Sequence, residues 1–535
     1  MKNVNVNPQN YINTFQVILP LDVGVLIYPD DPVVTFKEIT REVNLRKHLS
    51  DKNKDPRGRK GYDPYVLLEI VLFAFMINVR SLREIEKRCQ YDIRFMYLSD
   101  STTPSHMTLC NFINDYLLDC IDDIFNELTL YFVEKLNIDI STVYIDGTKI
   151  EALPNRYTWV WKNACITSIK RVFSHINELY KKINSEFIFG SDLTLKLQNE
   201  YEIEELENDL NNLGALAINN SISFVYGKGR RKTAVQRYYE ALKGYIDKLK
   251  DYSNKIKICG DYRNSYSKYD HDATFMRMKT DYMGNTALLP AYNWQIAVAG
   301  EFIVTTLVCK TPSDSKCFID ILERYRDIFN VYPDKPVADA GYGNLDNYRF
   351  CKKNGIELYM KFSTWKRETH DKQFKDNVFR AVNFRNDEEG YLICPNNKRF
   401  IKLFESLIPG NNDDRTFEKY ICEDCDGCLM KTECFSGQGN RIINLNKELT
   451  SYHKEVIDNL ASDTGIYLRT QRSIQAEGAF GVIKQDYSYR RITRVSKKKV
   501  NLELSLIAIG YNLKKYHNIK NRISSENKED FFDII

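Results

Sequence analysis

The chain has 535 residues, 43% of them hydrophobic and 28% charged. At about 150 residues per domain this length implies several folded units, and the apolar share excludes wholesale disorder. With 76 Lys+Arg against 72 Asp+Glu the net charge is only +4, so any polyanion must be met by local clusters of basic side chains, not by bulk charge.

The most apolar stretch, Tyr65 to Ile77, is interrupted by Glu69 and falls short of the roughly 20 residues a bilayer span needs. The N-terminal MKNVNVNPQNYINTF is polar and lacks the basic-then-apolar layout of a signal peptide. The expectation is a cytoplasmic protein without membrane contact. Its thirteen cysteines then read as reduced thiols plus one candidate metal site, not a disulfide framework.

Between Tyr62 and Tyr116 the spacing predicts helices. Val66, Ile70, Phe73 and Ile77 form a buried stripe. Ser81, with Glu84 three residues on, predicts a capping box for a helix over Leu82–Gln90 that carries Arg83, Lys87 and Arg88. A third helix, Met107–Leu117, should follow the Thr103-Pro104-Ser105 start signal. Such helices suit a DNA-binding unit of helix-turn-helix type, or a plain bundle with a solvated charged face.

Residues 140–152, ISTVYIDGTKIEA, read as a strand with a kink at Gly147. Residues 166–260 read as a charge-rich helical or coiled-coil insertion, broken by the basic run Lys228-Gly229-Arg230-Arg231-Lys232. That run is a solvated loop or a phosphate contact. A hairpin over Tyr292–Val298 and Phe302–Val308 follows, then a helix from Asp314 to Phe329. A strand at Pro336–Asp339 comes next, then a helix and the strand Ile356–Met360. A loop-rich, cysteine-bearing stretch precedes a helix over Thr470–Lys484, and an amphipathic helix over Leu502–Tyr516 ends the series. With the insertion removed, three strands, helix, strand, helix, strand and late helix is the order of a ribonuclease-H-like α/β domain.

Asp146 and Asp339 leave apolar strands, and Glu477 lies in the late helix. Three carboxylates brought together could hold two Mg²⁺ ions about 3.5–4 Å apart for phosphodiester chemistry. Taken singly, each aspartate also fits an ordinary strand-end turn. Lys484, seven residues beyond Glu477, should share its face, with Gly481 leaving room for a nucleic-acid backbone and Ala476, Phe480 and Ile483 forming the core stripe. An ordinary amphipathic helix would look the same. No Walker-type loop, HExxH or GxSxG motif is present.

Three blocks, TVYIDGTKIEA, PVADAGYGN and RSIQAEGAFGVIKQDYSYRRITR, together with YDPYVLLEIVLFAFMINVRSLREIE, SKYDHDATFMRMK and PAYNWQIAV, give the chain its resemblance to DDE-type transposases of bacterial insertion sequences, in the cut-and-paste branch. The resemblance spans about residues 45–520. It implies Asp146, Asp339 and Glu477 as the catalytic, metal-holding triad with two Mg²⁺ (or Mn²⁺) ions, and Lys484 at the glutamate-x6-lysine spacing. The related signature also places a tyrosine and an arginine before the glutamate. Here those places hold Thr470 and Ser473, with Tyr467, Arg469 and Arg472 nearby.

The resemblance further implies double-stranded DNA as partner, both terminal inverted repeats and target, and a homodimer or larger assembly. DNA contacts are expected from Lys484, Arg469, Arg472, Arg490, Arg491, Lys149, Arg83 and Lys87, with Arg494, Lys497–Lys499, Tyr487 and Tyr489 along the same path. The alternatives are a non-catalytic DNA-binding derivative of a transposase and a nuclease without strand transfer.

The expected fold class is therefore α/β, a ribonuclease-H-like core with added parts. These are an all-α DNA-binding domain (1–135), core segments (136–165, 266–365, 463–520), a helical insertion (166–265), a cysteine-rich insertion (366–462) and a polar tail (521–535). In the cysteine-rich part, Cys394, Cys425, Cys428 and Cys434 are the expected ligands of a structural Zn²⁺. The local four, Cys422, Cys425, Cys428 and Cys434, are the second choice. An iron–sulfur cluster or free thiols are the remaining readings.

Overall fold

The structure is a computed structural model that describes residues 27–49, 61–186, 195–227, 229–278, 287–407 and 416–532. The chain divides into two compact units: Met1–Lys135 with Ser505–Ile535, and Leu136–Leu504.

The first unit is helical. Asp31 and Asp63 cap helices Pro32–Glu42 and Pro64–Met76 by accepting backbone N–H bonds, each ahead of a proline at the first turn. The second of these helices is buried nearly all round, from Leu67 to Met76. Its one charge, Glu69, is neutralised by Lys37 at 2.8 Å and accepts from Thr40. Phe73 links Phe36 and Phe95 through ring contacts of 5.6 and 5.4 Å.

Helix Leu82–Tyr91 forms as expected, but Ser81 makes no side-chain capping bond, and Glu84 turns instead to Arg88 and Tyr91. The capping box is thus absent. Ser105 does cap the next helix through the Thr108 N–H. That helix continues far past Leu117, through a π turn at Ile113–Leu117 into Leu118–Lys135.

The second unit is built on a mixed sheet: β1 (Thr142–Glu151), β4 (Thr274–Arg277), β5 (Leu288–Ala299), β6 (Phe302–Cys309), β7 (Lys335–Ala338) and β8 (Tyr359–Met360). Its order is β4-β5-β1-β7-β8, with β6 also on β5. Strand β5 pairs antiparallel with β1 on one edge and with β6 and β4 on the other, whereas β7 and β8 continue the sheet in parallel with β1. A two-stranded pair, β2 (Trp159–Trp161) with β3 (Ser265–Ser267), flanks three helices, Lys162–Glu186, Ile203–Asn219 and Ala234–Cys259. These helices have their own core around Ile176, Tyr180, Leu206, Leu242 and Ile246.

No kink marks Gly147. Strand β1 runs straight through it, paired with Gln295. The glycine is needed because Gln295 and Asp314 press on that backbone: a Cβ there would lie 2.1 Å from Gln295 Nε2 and 2.9 Å from Asp314 Oδ1.

The cysteine-bearing stretch is not loop-rich. It folds as an antiparallel sheet, β9 (Arg385–Asn386), β10 (Leu392–Ile393), β11 (Arg399–Leu407), β12 (Thr416–Cys422) and β13 (Ile442–Leu445), in the order β13-β12-β11-β10-β9. Nor is it too polar for a core, since Cys394, Phe400, Tyr420, Cys422 and Ile443 pack together. The closing helix, Lys497–Phe532, is buried on every side from Leu502 to Leu513 and so is not amphipathic there. The 521–532 part of the expected polar tail continues this helix.

Gly147→Ala should destabilise the second unit by about 1–3 kcal/mol, because Gln295 is fully buried and hydrogen-bonded and cannot yield. Gly478→Ala, in a helix with nothing within 4 Å of its Cβ, should gain roughly 0.5–1 kcal/mol. Denaturant unfolding of both variants checks this, and equal stabilities would contradict it.

Candidate active site

Strands β1 and β7 pair in parallel with Tyr144 opposite Val337. Two residues beyond that pair on each chain segment come Asp146, still within β1, and Asp339, the first residue after β7. Between β7 and β8, Ala338 lies opposite Met360, so Lys361 comes level with Asp339. Asp339 and Lys361 thus follow directly on the ends of β7 and β8, with Asp146 inside the adjoining β1. Asp339 Oδ1 accepts the Gly341 N–H at 2.8 Å, which fixes the turn after β7.

A fourth carboxylate, Asp314, backs this row. A Cβ on Gly147 would lie 2.9 Å from its Oδ1, and one on Gly341 would lie 3.7 Å from its Oδ2 and 3.0 Å from Asp339 Oδ1. Asp314 Oδ1 accepts from Asn293 Nδ2 at 2.7 Å and Gln295 Nε2 at 2.9 Å. The buried Tyr342 hydroxyl donates to Gln295 Oε1. Burial above all, then Asp314, Asp146 and Asp339, push the Tyr342 phenol well above its ordinary pKa, so it stays a neutral donor. Asp314 escaped the sequence reading because it begins a helix there. Its sign is the polar pair Asn293 and Gln295 on one face of an otherwise apolar strand.

Glu477 is carried by the helix from Asp463 to Asp486, which contains π turns at Ser473–Glu477 and Val482–Asp486. Ala476, Phe480 and Ile483 are buried, as the stripe predicts. A π turn adds a residue per turn, so Arg472, five positions before Glu477, stands one turn from it. Its Nη2 lies 2.6 Å from Glu477 Oε1 and its Nη1 3.8 Å from Asp146 Oδ1.

Arg472 is one residue ahead of the place that the related signature gives to an arginine. Ser473, which holds that place in the sequence, bonds Glu477 Oε2 through its hydroxyl at 2.9 Å. Thr470 is exposed and donates to the Ile466 carbonyl, and Tyr467 is exposed. Arg472 is only 13% exposed, and its buried Nη1 has no hydrogen bond. This guanidinium spans the space between two carboxylates where positive charge is wanted.

Lys361, absent from the sequence reading, sits 5.0 Å over the Trp365 ring, and Arg469 lies 5.2 Å over the same ring. Burial chiefly, then Arg472 and Arg469, hold the Lys361 pKa below its usual value, while Asp339 and Glu477 pull the other way. Lys484 donates to Thr148 Oγ1, two residues past Asp146. Lys149 is half-buried on β1 opposite Asn293, and Arg490 is exposed.

Arg491 is engaged with Glu151 at 3.4 Å and with the carbonyls of Ala152 and Leu153. It thereby ties the chain to the end of β1. Tyr489 is buried and donates to Glu503 at 2.9 Å, so it belongs to the core rather than to a DNA path. Arg83 and Lys87 are exposed in the first unit. Of the basic run, Lys228 lies outside the described residues, Arg230 and Arg231 are exposed, and Lys232 pairs with Glu240 at 2.5 Å.

The carboxylates are hard oxygen donors, as Mg²⁺ or Mn²⁺ prefers, and the donor set fits such ions. Among the described residues no three His, Cys, Asp or Glu side chains are already gathered about one point. Ligation would therefore require Glu477 to leave Arg472. No helix among the described residues is long and apolar enough to cross a membrane.

Residues 393–517 match the family described as transposase DDE domain, and residues 23–115 match the transposase domain family DUF772. The first stretch contains Arg472, Glu477 and Lys484, while Asp146 and Asp339 precede it. Both matches are consistent with a DDE transposase of an insertion sequence. No curated protein and no solved structure matches the chain.

Arg472→Gln removes the largest charged influence that lowers the Lys361 pKa. The Lys361 titration should then move upward, toward the usual lysine value of about 10.4. NMR of ¹³C-labelled lysine side chains follows it, and an unmoved titration would mean that burial acts alone.

Proposed function

We propose that this chain, whose matched segments are transposase domains, binds the terminal inverted repeats of its element and cuts and rejoins DNA at Asp146, Asp339 and Glu477. The observation that carries the reading is the parallel register that puts Asp146 and Asp339 each two residues beyond the Tyr144–Val337 pair, with Arg472 joining Asp146 to Glu477. The strand order β6-β5-β1-β7-β8, three antiparallel strands followed by two parallel ones, supports a ribonuclease-H-like core.

Bound divalent ions, held by the three carboxylates, would activate the attacking oxygen and relieve charge on the leaving one. Asp146, held within β1, and Asp339, fixed at the turn after β7, need little rearrangement. Glu477 rotates off Arg472 toward the aspartates, which frees the guanidinium for a DNA phosphate. Lys484, reaching the sheet at Thr148, holds a phosphate beside the cut, and Gly481 and Gly478 leave the helix surface open to the backbone. Asp314, beside the aspartates, accepts from Asn293 and Gln295 and so steadies the strand that faces Gly147. Arg83 and Lys87 meet the repeats from the helical unit. We place the reaction in the cytoplasm, on paired DNA ends bound by a homodimer or larger assembly.

Asp146→Ala, Asp339→Ala and Glu477→Ala should each cut repeat-end duplexes at least about 10³-fold more slowly in Mg²⁺ or Mn²⁺, a loss of about 4 kcal/mol, while repeat binding holds. A wild-type rate in any one of them refutes the triad. Failure of the unaltered chain to join a pre-cut end would favour a nuclease without strand transfer.

Lys484→Ala should weaken end binding and shallow the log–log salt dependence by about one unit. A salt slope and cutting rate both unchanged would make Lys484 a bystander.

A further inference from the structure

Apart from the carboxylates, the second unit gathers its cysteines. None of the thirteen cysteines is in a disulfide, and five of them, Cys394, Cys422, Cys425, Cys428 and Cys434, line one cavity of about 20 Å³. They reach it from three places. Cys394 directly follows β10 and opens a tight turn whose Asn397 is left-handed at φ 56°. Cys425 and Cys428 flank a second turn, opened by Gly427 at φ 67°, and Cys434 closes the short helix Lys431–Cys434. Cys422 is the last residue of β12.

The hydrogen bonds sort these sulfurs. Three of them accept from N–H groups: Cys394 from the Lys398 amide at 3.3 Å, Cys425 from the Arg441 amide at 3.4 Å, and Cys434 from Arg441 Nη1 at 2.9 Å. A sulfur that collects N–H donors is set up to carry negative charge. Cys422 does the reverse: its S–H points at the Asp424 carbonyl, 3.6 Å away, and its side chain packs with Phe400 and Tyr420 in the sheet core. It behaves as a small apolar residue. Cys428, on the turn with Cys425, supplies the fourth sulfur that a tetrahedral ion requires. Around them Lys398, Lys431 and Arg441 line the same cavity and offset the charge of four thiolates.

We propose that Cys394, Cys425, Cys428 and Cys434 bind one structural Zn²⁺, with Cys422 excluded from the ligand set. Four soft sulfurs and no hard oxygen select zinc over Mg²⁺ or Ca²⁺. Binding converts four thiols to thiolates and releases their protons to solvent. Because no three potential ligands are yet gathered about one point among the described residues, capture draws the two turns and the short helix inward. It staples the turn after β10 to the segment Asp424–Arg441. The site is separate from the carboxylates, so it stands or falls independently of the transposase reading.

Elemental analysis of the purified full-length chain should find about one zinc and no iron. Cys428→Ser and Cys434→Ser should lose the zinc, and Cys422→Ser should keep it. In the unaltered chain, thiol alkylation followed by mass spectrometry should leave the four ligand cysteines unlabelled, and a zinc chelator should expose them together. This second reading needs no variant to fold. Replacing zinc by Co²⁺ should give the visible absorption of tetrahedral thiolate coordination. Metal-free or iron-bearing protein, zinc retained by Cys434→Ser or lost by a folded Cys422→Ser, or labelling that ignores the chelator would each overturn the assignment.

Discussion

The parallel pairing of β1 with β7 is the constraint on which the candidate site depends. Residues 142–144 lie opposite residues 335–337, although almost two hundred positions separate them in sequence. Everything between, including the three-helix insertion and the hairpin β5–β6, must leave and return without disturbing that register. A slip of one residue would turn one aspartate to the opposite face of the sheet. The register is protected by burial on both sides, with Val143, Tyr144, Ile145, Val337 and Ala338 all in the core.

Behind the aspartates the sheet trades apolar packing for a set of amide hydrogen bonds. Asn293 and Gln295 are wholly buried on β5, yet Asn293 donates to Asp314 and the Thr311 carbonyl, Gln295 donates to Asp314 and Asn293 Oδ1, and Tyr342 donates to Gln295. Buried polar groups cost stability unless paired, and here they are paired toward one carboxylate. The arrangement leaves no space for a side chain at position 147. The glycine after Asp146 is thus a packing requirement, not a bend.

How far the residues announce this site follows from how local each signal is. The strands that carry Asp146 and lead to Asp339, the core stripe of the Glu477 helix and the hairpin β5–β6 are written in short-range patterns and were legible, although β1 does not end at Asp146 but runs on to Glu151. The Gly147 kink was misread because a glycine that admits a neighbour looks the same in sequence as one that bends the chain. Lys361 and Asp314 were invisible since their membership depends on partners brought in by the sheet. Arg472 was legible as a residue but not as a position: only the π turn brings it one helical turn from Glu477. The cysteine-bearing stretch hid its sheet because β9 and β10 are two residues long and carry no alternation to read.

The charges of the site define how metal and DNA would act on each other under the proposed function. Without ions, the acid side chains are offset within the protein, Asp146 and Glu477 by Arg472 and the wider cluster by Lys361. A divalent cation between the carboxylates takes over that compensation, so Arg472, and with it Arg469 and Lys361, lose their nearest anions. Buried cations without counter-ions are costly, and a phosphate backbone is the anion at hand. Each ion bound therefore favours DNA, and by reciprocity DNA favours the ions. Under the proposed function, a site built this way would hold its basic groups against its own acids when empty and turn them to phosphate when loaded.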